Sequence, residues 1–550
     1  MWGGMSGAGT LNPDDAQLMF DCVLLDVMRQ LCPGPRRAVK PKHGVAVRVA
    51  KACPSKVSAI AESSCTVCMR RKRSCHADDS RELVLKGLAR GCHPDIVGAM
   101  LSLFDTASGS VRPLRQREAD KVSMYVCGPT VYGPPHLGHG RFSLVFDILR
   151  RYLEWSGNEV TYVSNITDID DKIINLAAQE QRDWREIVAH YEQVWYQAMD
   201  LIGVKRPTHD PHATAYVEHM VSFIGSLIDH GDAYVTSDGV YFRCAQVSDY
   251  GLLARQTIES LQAGARVESS DEKESPIDFA LWKFVKPGEP SWPAPFGDGR
   301  PGWHTECVVM STDLLGAEFD LHGGGLDLAF PHHENERAQA AACGHRFAGH
   351  WVHNGFVETD GEKMSKSLGN FTTLLDLAET TDPRSYRMLC LQSHYRSPIE
   401  VSDHSLSAAA SSLGRIESAL RRAIVEEQPD ADEVLRAQFR ERMDNDLDTP
   451  AAMVLVFDAV TETNRCLDAG DTERAAVLAA TIIDLCGALG LFFDLTASEL
   501  PEHVVEMCRL RDAARADKDW AQSDALRDQI VALGYAVEDT ADGTRVHLEG

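Results

Sequence analysis

The sequence has no run of about eighteen consecutive apolar residues, the length that a membrane-spanning helix needs. Its N-terminus also lacks the basic patch, apolar stretch and small-residue cleavage site of a secretory signal. We therefore expect a cytoplasmic protein with no membrane partner. Because thiols stay reduced in that compartment, we interpret the fifteen cysteines as core thiols or metal ligands, few of them in disulfides.

A surplus of basic residues is also lacking. The chain holds 55 Lys plus Arg against 81 Asp plus Glu, a formal charge of −26. This balance argues against a protein that coats nucleic acid nonspecifically, because that mode needs cations to replace counterions along the phosphates. A specific RNA partner held by a local basic face remains compatible with it, because net charge does not describe how charge is distributed.

The first hundred residues differ from the rest of the chain. Residues 1–99 contain 15 Lys plus Arg against 9 Asp plus Glu, seven of the fifteen cysteines and no sustained periodicity. Cys65, Cys68 and Cys75 resemble half of a binuclear zinc cluster, but a second cysteine triplet is missing. We predict an N-terminal extension that is disordered or dispensable, in preference to a second metal site.

A strand, a loop, a helix and a second strand follow one another from residue 122. Residues 122–126 and 160–163 are short apolar runs, and between them apolar residues recur at helical spacing. This order predicts an α/β fold with a Rossmann-like parallel sheet that binds its ligands at the carboxyl ends of the strands. Two later strands are predicted at 319–322 and 351–356.

A chain of 550 residues exceeds the size of a single hydrophobic core, so several domains are expected. We predict a Rossmann-like catalytic domain at 100–401, with an inserted connective subdomain at about 206–301 where turn residues and prolines cluster. Helical spacing of apolar residues predicts an α-helical bundle at 402–500. A small C-terminal region at 501–550 ends in two alternating stretches around Asp-Gly, a favoured hairpin turn.

Two short motifs indicate nucleotide chemistry. H-L-G-H, from His136 to His139, is predicted at the mouth of a helix, where imidazoles and free backbone donors can stabilise charge on a phosphate. K-M-S-K-S, residues 363–367, holds Lys363 and Lys366 in a polar loop and suits a clamp on a triphosphate. Each motif alone also fits a solvent-exposed loop. Together and in this order they resemble the nucleotide-binding elements of class I aminoacyl-tRNA synthetases.

A third group of side chains suits a metal ion. Cys127 ends the first strand, Cys307 lies in W-H-T-E-C, and His332 and Glu336 lie four apart in P-H-H-E-N-E, on one face of a helix. Each cysteine alone is more often a buried core thiol, and His333 competes with His332 on spacing alone.

Longer segments narrow the resemblance to one family. M-Y-V-C-G-P-T-V-Y, N-I-T-D-I-D-D-K, G-R-P-G-W-H-T-E-C and G-G-G-L-D-L-A-F-P-H-H-E-N-E resemble the cysteinyl-tRNA synthetase family, from about Leu101 to the C-terminus. The resemblance implies ATP-dependent activation of L-cysteine to cysteinyl-adenylate, with Mg²⁺, and transfer to the 3′-terminal ribose of tRNA(Cys). It also implies one zinc ion per subunit, which selects the cysteine thiolate. For the oligomeric state we favour a monomer.

The resemblance also implies roles for individual residues. The implied zinc ligands are Cys127, Cys307, His332 and Glu336. The implied cysteine-binding residues are Gly128, Thr167, Trp303 and His322. The implied catalytic residues are His136, His139, Lys363 and Lys366, and the ATP-binding residues are His136, Gly138, His139, Asp327 and Lys366. A helix cap is the alternative for Thr167, and core packing is the alternative for Trp303.

Near the C-terminus, Asp524-Ala525-Leu526-Arg527 resembles the anticodon-binding helix of the family. An exposed Trp520 could stack there on an unpaired base of the tRNA. The implied tRNA-binding residues are therefore Trp520, Asp524 and Arg527. The alternative is an ordinary amphipathic helix with Trp520 packed inside.

Two other functions share some of these features. An ATP-dependent ligase that joins cysteine to an amine of a small molecule, as in the mycothiol pathway, would share the zinc and both nucleotide motifs. The helical C-terminal region favours tRNA instead, because a small acceptor needs no such module. A catalytically silent zinc and RNA-binding protein would not require both nucleotide motifs.

Truncation tests whether the N-terminal extension at 1–99 is dispensable. A chain that starts at Met100 should fold, form the adenylate and charge tRNA like the full chain, because the strand and loop pattern begins only near Leu101. Cysteine-dependent pyrophosphate exchange and aminoacylation of the two chains would be compared. A soluble truncated chain without adenylate formation would contradict the interpretation.

Overall fold

The computed structural model describes residues 101–257, 272–359, 362–363, 372–425, 427–495, 501–540 and 543–548. The predicted extension at 1–99 and most of K-M-S-K-S, including Lys366, lie outside these residues.

The first described segment forms the start of an α/β unit. Two antiparallel strands come first, β1 (Ser102–Asp105) and β2 (Ser110–Pro113). They are followed by β3 (Lys121–Val126), helix α1 (Leu137–Trp155) and β4 (Glu159–Val163). The two predicted strands and the helix between them are confirmed. The helix begins at Leu137, ahead of the run of apolar residues that predicted it, because the polar and glycine residues of its first turns carry no apolar period.

The next segment leaves the parallel sheet and returns to it. Its described residues form three α-helices and a four-stranded antiparallel sheet, in the order of the chain: α2 (Asp171–Glu180), α3 (Trp184–Leu201), α4 (Val217–His230), β5 (Ala233–Val235), β6 (Gly239–Phe242), β7 (Phe279–Phe284) and β8 (Gly299–Pro301). The antiparallel sheet packs its own apolar cluster around Phe242 and Trp282.

The chain then completes the central sheet with α5 (Trp303–Leu315), β9 (Glu318–Gly325), α6 (Glu334–Ala342) and β10 (Phe347–Asn354). The strand order is β10-β9-β3-β4, and all neighbours are parallel. The predicted α/β fold with a parallel sheet is confirmed. Both later strands are longer than predicted: β9 runs on through a glycine triplet, and β10 begins at Phe347 instead of residue 351 and ends at Asn354 instead of residue 356. Both extensions contain glycine, at 323–325 and at 349, so neither shows a strand pattern in sequence.

Short elements follow β10 and lead to a helical region. They are β11 (Val357–Thr359), β12 (Glu362–Lys363), α7 (Leu374–Thr380), α8 (Arg384–Leu391) and β13 (Ile399–Glu400). The helical region holds α9 (Asp403–Ala423), α10 (Glu433–Asp444), α11 (Thr449–Asp468) and α12 (Thr472–Ala488). The last elements are α13 (Glu502–Ala516), α14 (Trp520–Ala532) and the antiparallel pair β14 (Tyr535–Thr540) and β15 (Gly543–Leu548). In the part of the chain that the structure describes, no helix is long and apolar enough to cross a membrane.

A buried charged cluster joins the sheet to the helical region. The Asp147 carboxylate of α1 accepts hydrogen bonds from Arg151 and from Arg387 of α8, each at 2.7 Å. Arg387 also donates to the backbone carbonyls of Gly203 and Leu489, at 2.8 and 3.2 Å. Burial opposes ionisation of Asp147, but the two guanidinium groups outweigh it and lower the pKa of the carboxyl group. One carboxylate thus links α1, α8 and the end of α12.

Replacing Asp147 with asparagine should destabilise the fold by about 3–5 kcal/mol, because Arg387 would remain buried without a counter-charge. Because the pKa of Asp147 is lower in the folded state, its stabilisation is present above the unfolded value of about 3.9 and is lost as the pH falls through the folded value. Urea denaturation at neutral pH measures the loss. The control Asp200→Asn, at the exposed ion pair with Arg206, should cost at most about 1 kcal/mol. Equal effects of the two substitutions would contradict the role of Asp147.

Candidate functional site

The candidate site lies where the loops after β3, β4 and β9 meet. The backbone amide of Thr167, after β4, donates to the carbonyl of Pro129, after β3, at 3.0 Å. The Asn165 side chain accepts from the amide of Gly128 at 2.9 Å. At Gly128 an added Cβ would lie 1.6 Å from the Asn165 carbonyl oxygen, so only glycine allows this approach. In a parallel sheet this edge is where ligands bind, at the point where the strand order reverses.

Cys127, Cys307, His332 and Glu336 come together at this edge, and all four are buried. The two sulfur atoms lie 3.7 Å apart. Sγ of Cys307 lies 3.6 Å from Nε2 of His332, which in turn lies 2.8 Å from Oε1 of Glu336. Sγ of Cys127 lies 3.5 Å from the same carboxylate oxygen. Cys127 directly follows β3, Cys307 lies in α5, His332 in the single turn before α6, and Glu336 in α6 itself.

The separations suit one tetrahedral metal ion. Two sulfur atoms at ~2.3 Å from a tetrahedral zinc ion would lie roughly 3.8 Å apart, close to the spacing of the two thiols. A second possible ligand group shares two of these residues and consists of Cys127, His322, His333 and Glu336. In it, Nε2 of His333 lies 3.3 Å from Sγ of Cys127, and Nε2 of His322 lies 2.5 Å from Oε2 of Glu336. Proximity alone therefore does not choose between His332 and His333.

The two thiols of the site differ in acidity. Burial raises the pKa of the Cys127 thiol, and its hydrogen bond to Cys307 raises it further. Burial also opposes ionisation of Cys307, but the hydrogen bond from Cys127 and the contact with His332 outweigh it and lower the pKa of Cys307 to about 6. Cys307 is therefore the thiol that ionises first.

The acid and the imidazole beside these thiols are charged as well. Burial opposes the carboxylate of Glu336, but His322 and His332 hold its pKa well below the usual range. Burial likewise opposes protonation of His332, and the charge of Glu336 raises its pKa to about 10. The cluster thus holds a thiolate and a carboxylate against a cation, the charge pattern that a divalent metal ion would satisfy.

Further histidines surround the four residues. Nδ1 of His304 lies 2.9 Å from Nδ1 of His332, and Nδ1 of His333 lies 2.8 Å from Nε2 of His353. Hydrogen bonds to the outer nitrogen of a metal-binding imidazole orient the ring. Sequence reasoning had not assigned His304 or His353. His304 stands in the quoted segment W-H-T-E-C, but only the pairing of β9 with β10 brings His353 to the site.

The residues implied in cysteine binding line the same edge. Trp303 is 37% exposed and stacks on the His332 ring, with centroids 4.0 Å apart, so the core-packing alternative is wrong. Oγ1 of Thr167 donates to the buried carboxyl of Glu306 at 3.1 Å, while Asp170 caps α2, so the helix-cap alternative for Thr167 is wrong too. His322 contacts Glu336, as given above. Asn165 donates to Thr167 at 3.1 Å and thereby links it to Gly128, a connection that no sequence pattern signals.

The nucleotide motifs are described in part. His136 precedes the first turn of α1, and its amide donates to Nδ1 of His139 at 3.1 Å, so both imidazoles and Gly138 stand at the helix N-terminus as predicted for a phosphate site. Asp327 is exposed in the turn that follows β9, at the same edge of the sheet. The backbone of Lys363 lies in β12, which pairs with β11.

The residues implied in tRNA binding lie on α14. Trp520 is its first residue and is 60% exposed, so the alternative in which it is packed inside is wrong. Asp524 and Arg527 are exposed on the same helix. An exposed indole is available for stacking on a base.

Three family models match the chain. Residues 113–411 match the class I (C) tRNA synthetase catalytic domain, and residues 438–494 match the DALR domain. Residues 497–546 match the cysteinyl-tRNA ligase anticodon-binding domain. The first match alone spans more than half of the chain.

Curated relatives match nearly along their full length. The cysteine–tRNA ligase of Halorhodospira halophila is 44% identical over 457 residues, which cover 81% of this chain and 99% of the relative. That of Stutzerimonas stutzeri is 45% identical over 459 residues, 82% of this chain and 99% of the relative. A solved structure of Mycobacterium tuberculosis methionyl-tRNA synthetase with methionyl-adenylate has the same fold, with a TM-score of 0.50 and 14% identity over 67% of this chain and 89% of that chain.

Proposed function

Because the chain belongs to the cysteine–tRNA ligase family, we propose that it selects cysteine through a zinc ion bound by Cys127, Cys307, His332 and Glu336. The enzyme joins cysteine to tRNA and uses ATP to do so. The proposal concerns the metal, the residues of the site and the division of work between the domains.

The observation that carries the proposal is the pair of thiols 3.7 Å apart beside a buried imidazole and carboxylate. Zinc favours sulfur ligands, and this group offers two, whereas the group with His322 and His333 offers one. The low pKa of Cys307 favours it as a ligand, because a cysteine binds metal as the thiolate. In this assignment His322 and His333 contact the ligand residues but do not bind the metal. When bound, zinc would supply a site for the substrate thiolate, which a serine hydroxyl matches poorly.

The protein residues orient the bound cysteine. Trp303 covers His332 with its ring and shields this side of the site from water. Gly128 and Thr167 lie on adjoining loops, connected through Asn165, and would contact the amino acid together with His322. A site built around one specific polar contact rejects an analogue that lacks it by about 10⁴-fold or more, which would make a separate editing domain unnecessary.

Adenylate formation would take place at the N-terminus of α1. The carboxylate of cysteine attacks the α-phosphorus of ATP in line, and pyrophosphate leaves with Mg²⁺. His136, His139 and the backbone around Gly138 stabilise the charge on the phosphate, while Asp327 contacts the nucleotide. Lys363 and Lys366 would hold the departing pyrophosphate.

Transfer requires the end of the tRNA in the same place. The 3′-terminal ribose hydroxyl attacks the carbonyl of the adenylate, and AMP leaves. The domain at 100–401 would perform both steps, the helical bundle at 402–500 would connect it to 501–550, and Trp520, Asp524 and Arg527 would contact tRNA(Cys). For a monomer, all of these contacts come from one chain.

The metal assignment predicts one zinc ion per chain. Cys307→Ala should lose the metal and with it cysteine activation, because three ligands remain and the acidic thiol is gone. Metal analysis of the purified protein and cysteine-dependent pyrophosphate exchange measure the two losses. The control Cys486→Ala removes a buried thiol in α12 and should keep both. If Cys307→Ala retained stoichiometric zinc and normal activation, the ligand group would be misassigned.

The anticodon assignment predicts that activation and charging separate. Trp520→Ala should leave cysteine-dependent pyrophosphate exchange unchanged and reduce kcat/KM for tRNA by about 5- to 150-fold, because a stacked base contributes about 1–3 kcal/mol. The control Val531→Ala alters an exposed apolar residue at the other end of α14 and should change neither reaction. Normal charging by Trp520→Ala would remove Trp520 from the tRNA contacts.

A further inference from the structure

A buried arginine outside the proposed machinery lies two residues after His139. Arg141 is in the second turn of α1, and only 1% of it is exposed. Its guanidinium donates through Nη1 to the carbonyl of Phe356 at 2.6 Å. Through Nη2 it donates to the carbonyls of Tyr395 at 3.3 Å and Ser397, with His394 further away at 3.4 Å. All four acceptors are backbone carbonyls, so this buried cation binds two segments of main chain.

The two segments meet beside β11. Gly355 and Phe356 connect β10 to β11, and the amide of Gly355 donates to the carbonyl of Tyr395 at 2.9 Å. The carbonyl of Phe356 also accepts from the amide of Ile399, in β13, at 3.0 Å. At Gly355 an added Cβ would lie 2.6 Å from the carbonyl oxygens of Arg396 and Ser397, so this crossing requires glycine. Arg141 therefore holds the point from which β11 starts.

That point controls where Lys363 lies relative to the histidines of α1. Strand β11 pairs with β12 through Glu358 and Lys363, and with β13 through Val357 and Ile399. Arg141 and His139 belong to the same rigid helix. A displacement of Phe356 against Arg141 is thus a displacement of the Lys363 backbone against His139.

The planar guanidinium suits this task because its donors spread over a fixed fork and reach several acceptors at once. A lysine at the same place would keep the charge but concentrate its donors on one nitrogen atom, and it could not bridge Phe356 and Ser397 together. The geometry of Arg141 is therefore separable from its charge.

We infer that Arg141 is a positioning residue for adenylate formation, which sets the distance between the H-L-G-H turn and the hairpin of β11 and β12 that carries Lys363. The inference rests on the proposed roles of His139 and Lys363 in adenylate formation. It assigns Arg141 no contact with the substrates. A change at Arg141 should alter the binding of ATP and the rate of cysteine activation. The binding of cysteine and of the metal should not change.

Arg141→Lys in the full chain tests the inference. We expect kcat of cysteine-dependent pyrophosphate exchange to fall about ten- to a hundredfold and KM for ATP to rise, because small misplacements of reacting groups cost that much. KM for cysteine and the zinc content should stay within about twofold of those of the unsubstituted chain, because a substitution away from a binding site usually has no larger effect on it. The matched control is Arg387→Lys, since Arg387 is equally buried and also donates to backbone carbonyls, but contacts α1 near its middle, at Asp147. It should lower the melting temperature and leave both KM values and kcat unchanged.

Gly355→Ala is a second variant that displaces the 394–397 carbonyls without touching the guanidinium. It should show the same split between ATP and cysteine, and it decides the matter if Arg141→Lys does not fold. The inference is overturned if Arg141→Lys behaves like Arg387→Lys, or if Gly355→Ala loses only stability.

Lys363→Ala separates this inference from the proposed function. If Lys363→Ala exchanges pyrophosphate normally, the proposed role of Lys363 is wrong, whatever Arg141 does. If Lys363→Ala is slow and Arg141→Lys is not, only the inference about Arg141 fails. When both are slow, the double variant should be no slower than Lys363→Ala by more than about twofold, because residues that act through one another are not additive.

Discussion

The parallel pairing of β3 with both β4 and β9 is the constraint on which the rest of the site depends. Tyr125 pairs with Val163 on one side and with His322 on the other. Because parallel strands end at the same edge, this register brings together the loops after all three strands. Cys127, Asn165 and His322 are far apart in sequence and become neighbours only through it. The residues proposed to bind the metal, the cysteine and the nucleotide then share one edge of the sheet.

Burying so many ionisable groups at this edge is unfavourable without compensation. Desolvation alone would keep both thiols and the Glu336 carboxyl neutral. The structure instead places anionic and cationic groups within a few ångströms, so that Cys307 and Glu336 ionise while His332 is protonated. A divalent cation at the centre would replace that proton. The same compensation explains why His304, His333 and His353 line the back of the site: they are neutral donors and acceptors, since burial lowers the pKa of each.

Helix α1 is held both near its N-terminus and near its middle. Near its N-terminus, Arg141 binds main-chain carbonyls, and the hydroxyl of Tyr386 donates to the carbonyl of Leu137 at 2.6 Å. Further along, Asp147 draws Arg151 and Arg387 together. Tyr386 and Arg387 both belong to α8, the helix that precedes the C-terminal helical region. The helix that presents the two histidines is thus held by the elements that join the catalytic sheet to the helices.

The sequence alone determined the fold class and the residue types of the candidate site. Short apolar runs and helical spacing located β3, α1 and β4, because each is a continuous local pattern. H-L-G-H, K-M-S-K-S and the quoted segments led to the family, because these motifs are local in sequence as well. The glycine end of β9 and the glycine-containing start of β10 were not predicted, because their pairing partners, and not their own residues, make them strands.

Only the tertiary structure decided which of those residues touch. Sequence spacing does not distinguish His332 from His333 as a metal ligand, and in the fold a ring nitrogen of each lies close to a thiol of the cluster. The two histidines differ only in that the ligand group with His332 includes the second thiol. Asn165, His353 and Arg141 carry no motif that reveals their contacts, because each contacts a segment at least 20 residues away, and a partner that distant is chosen by strand order and helix packing. Local pattern specifies an element, whereas long-range pairing specifies its neighbours.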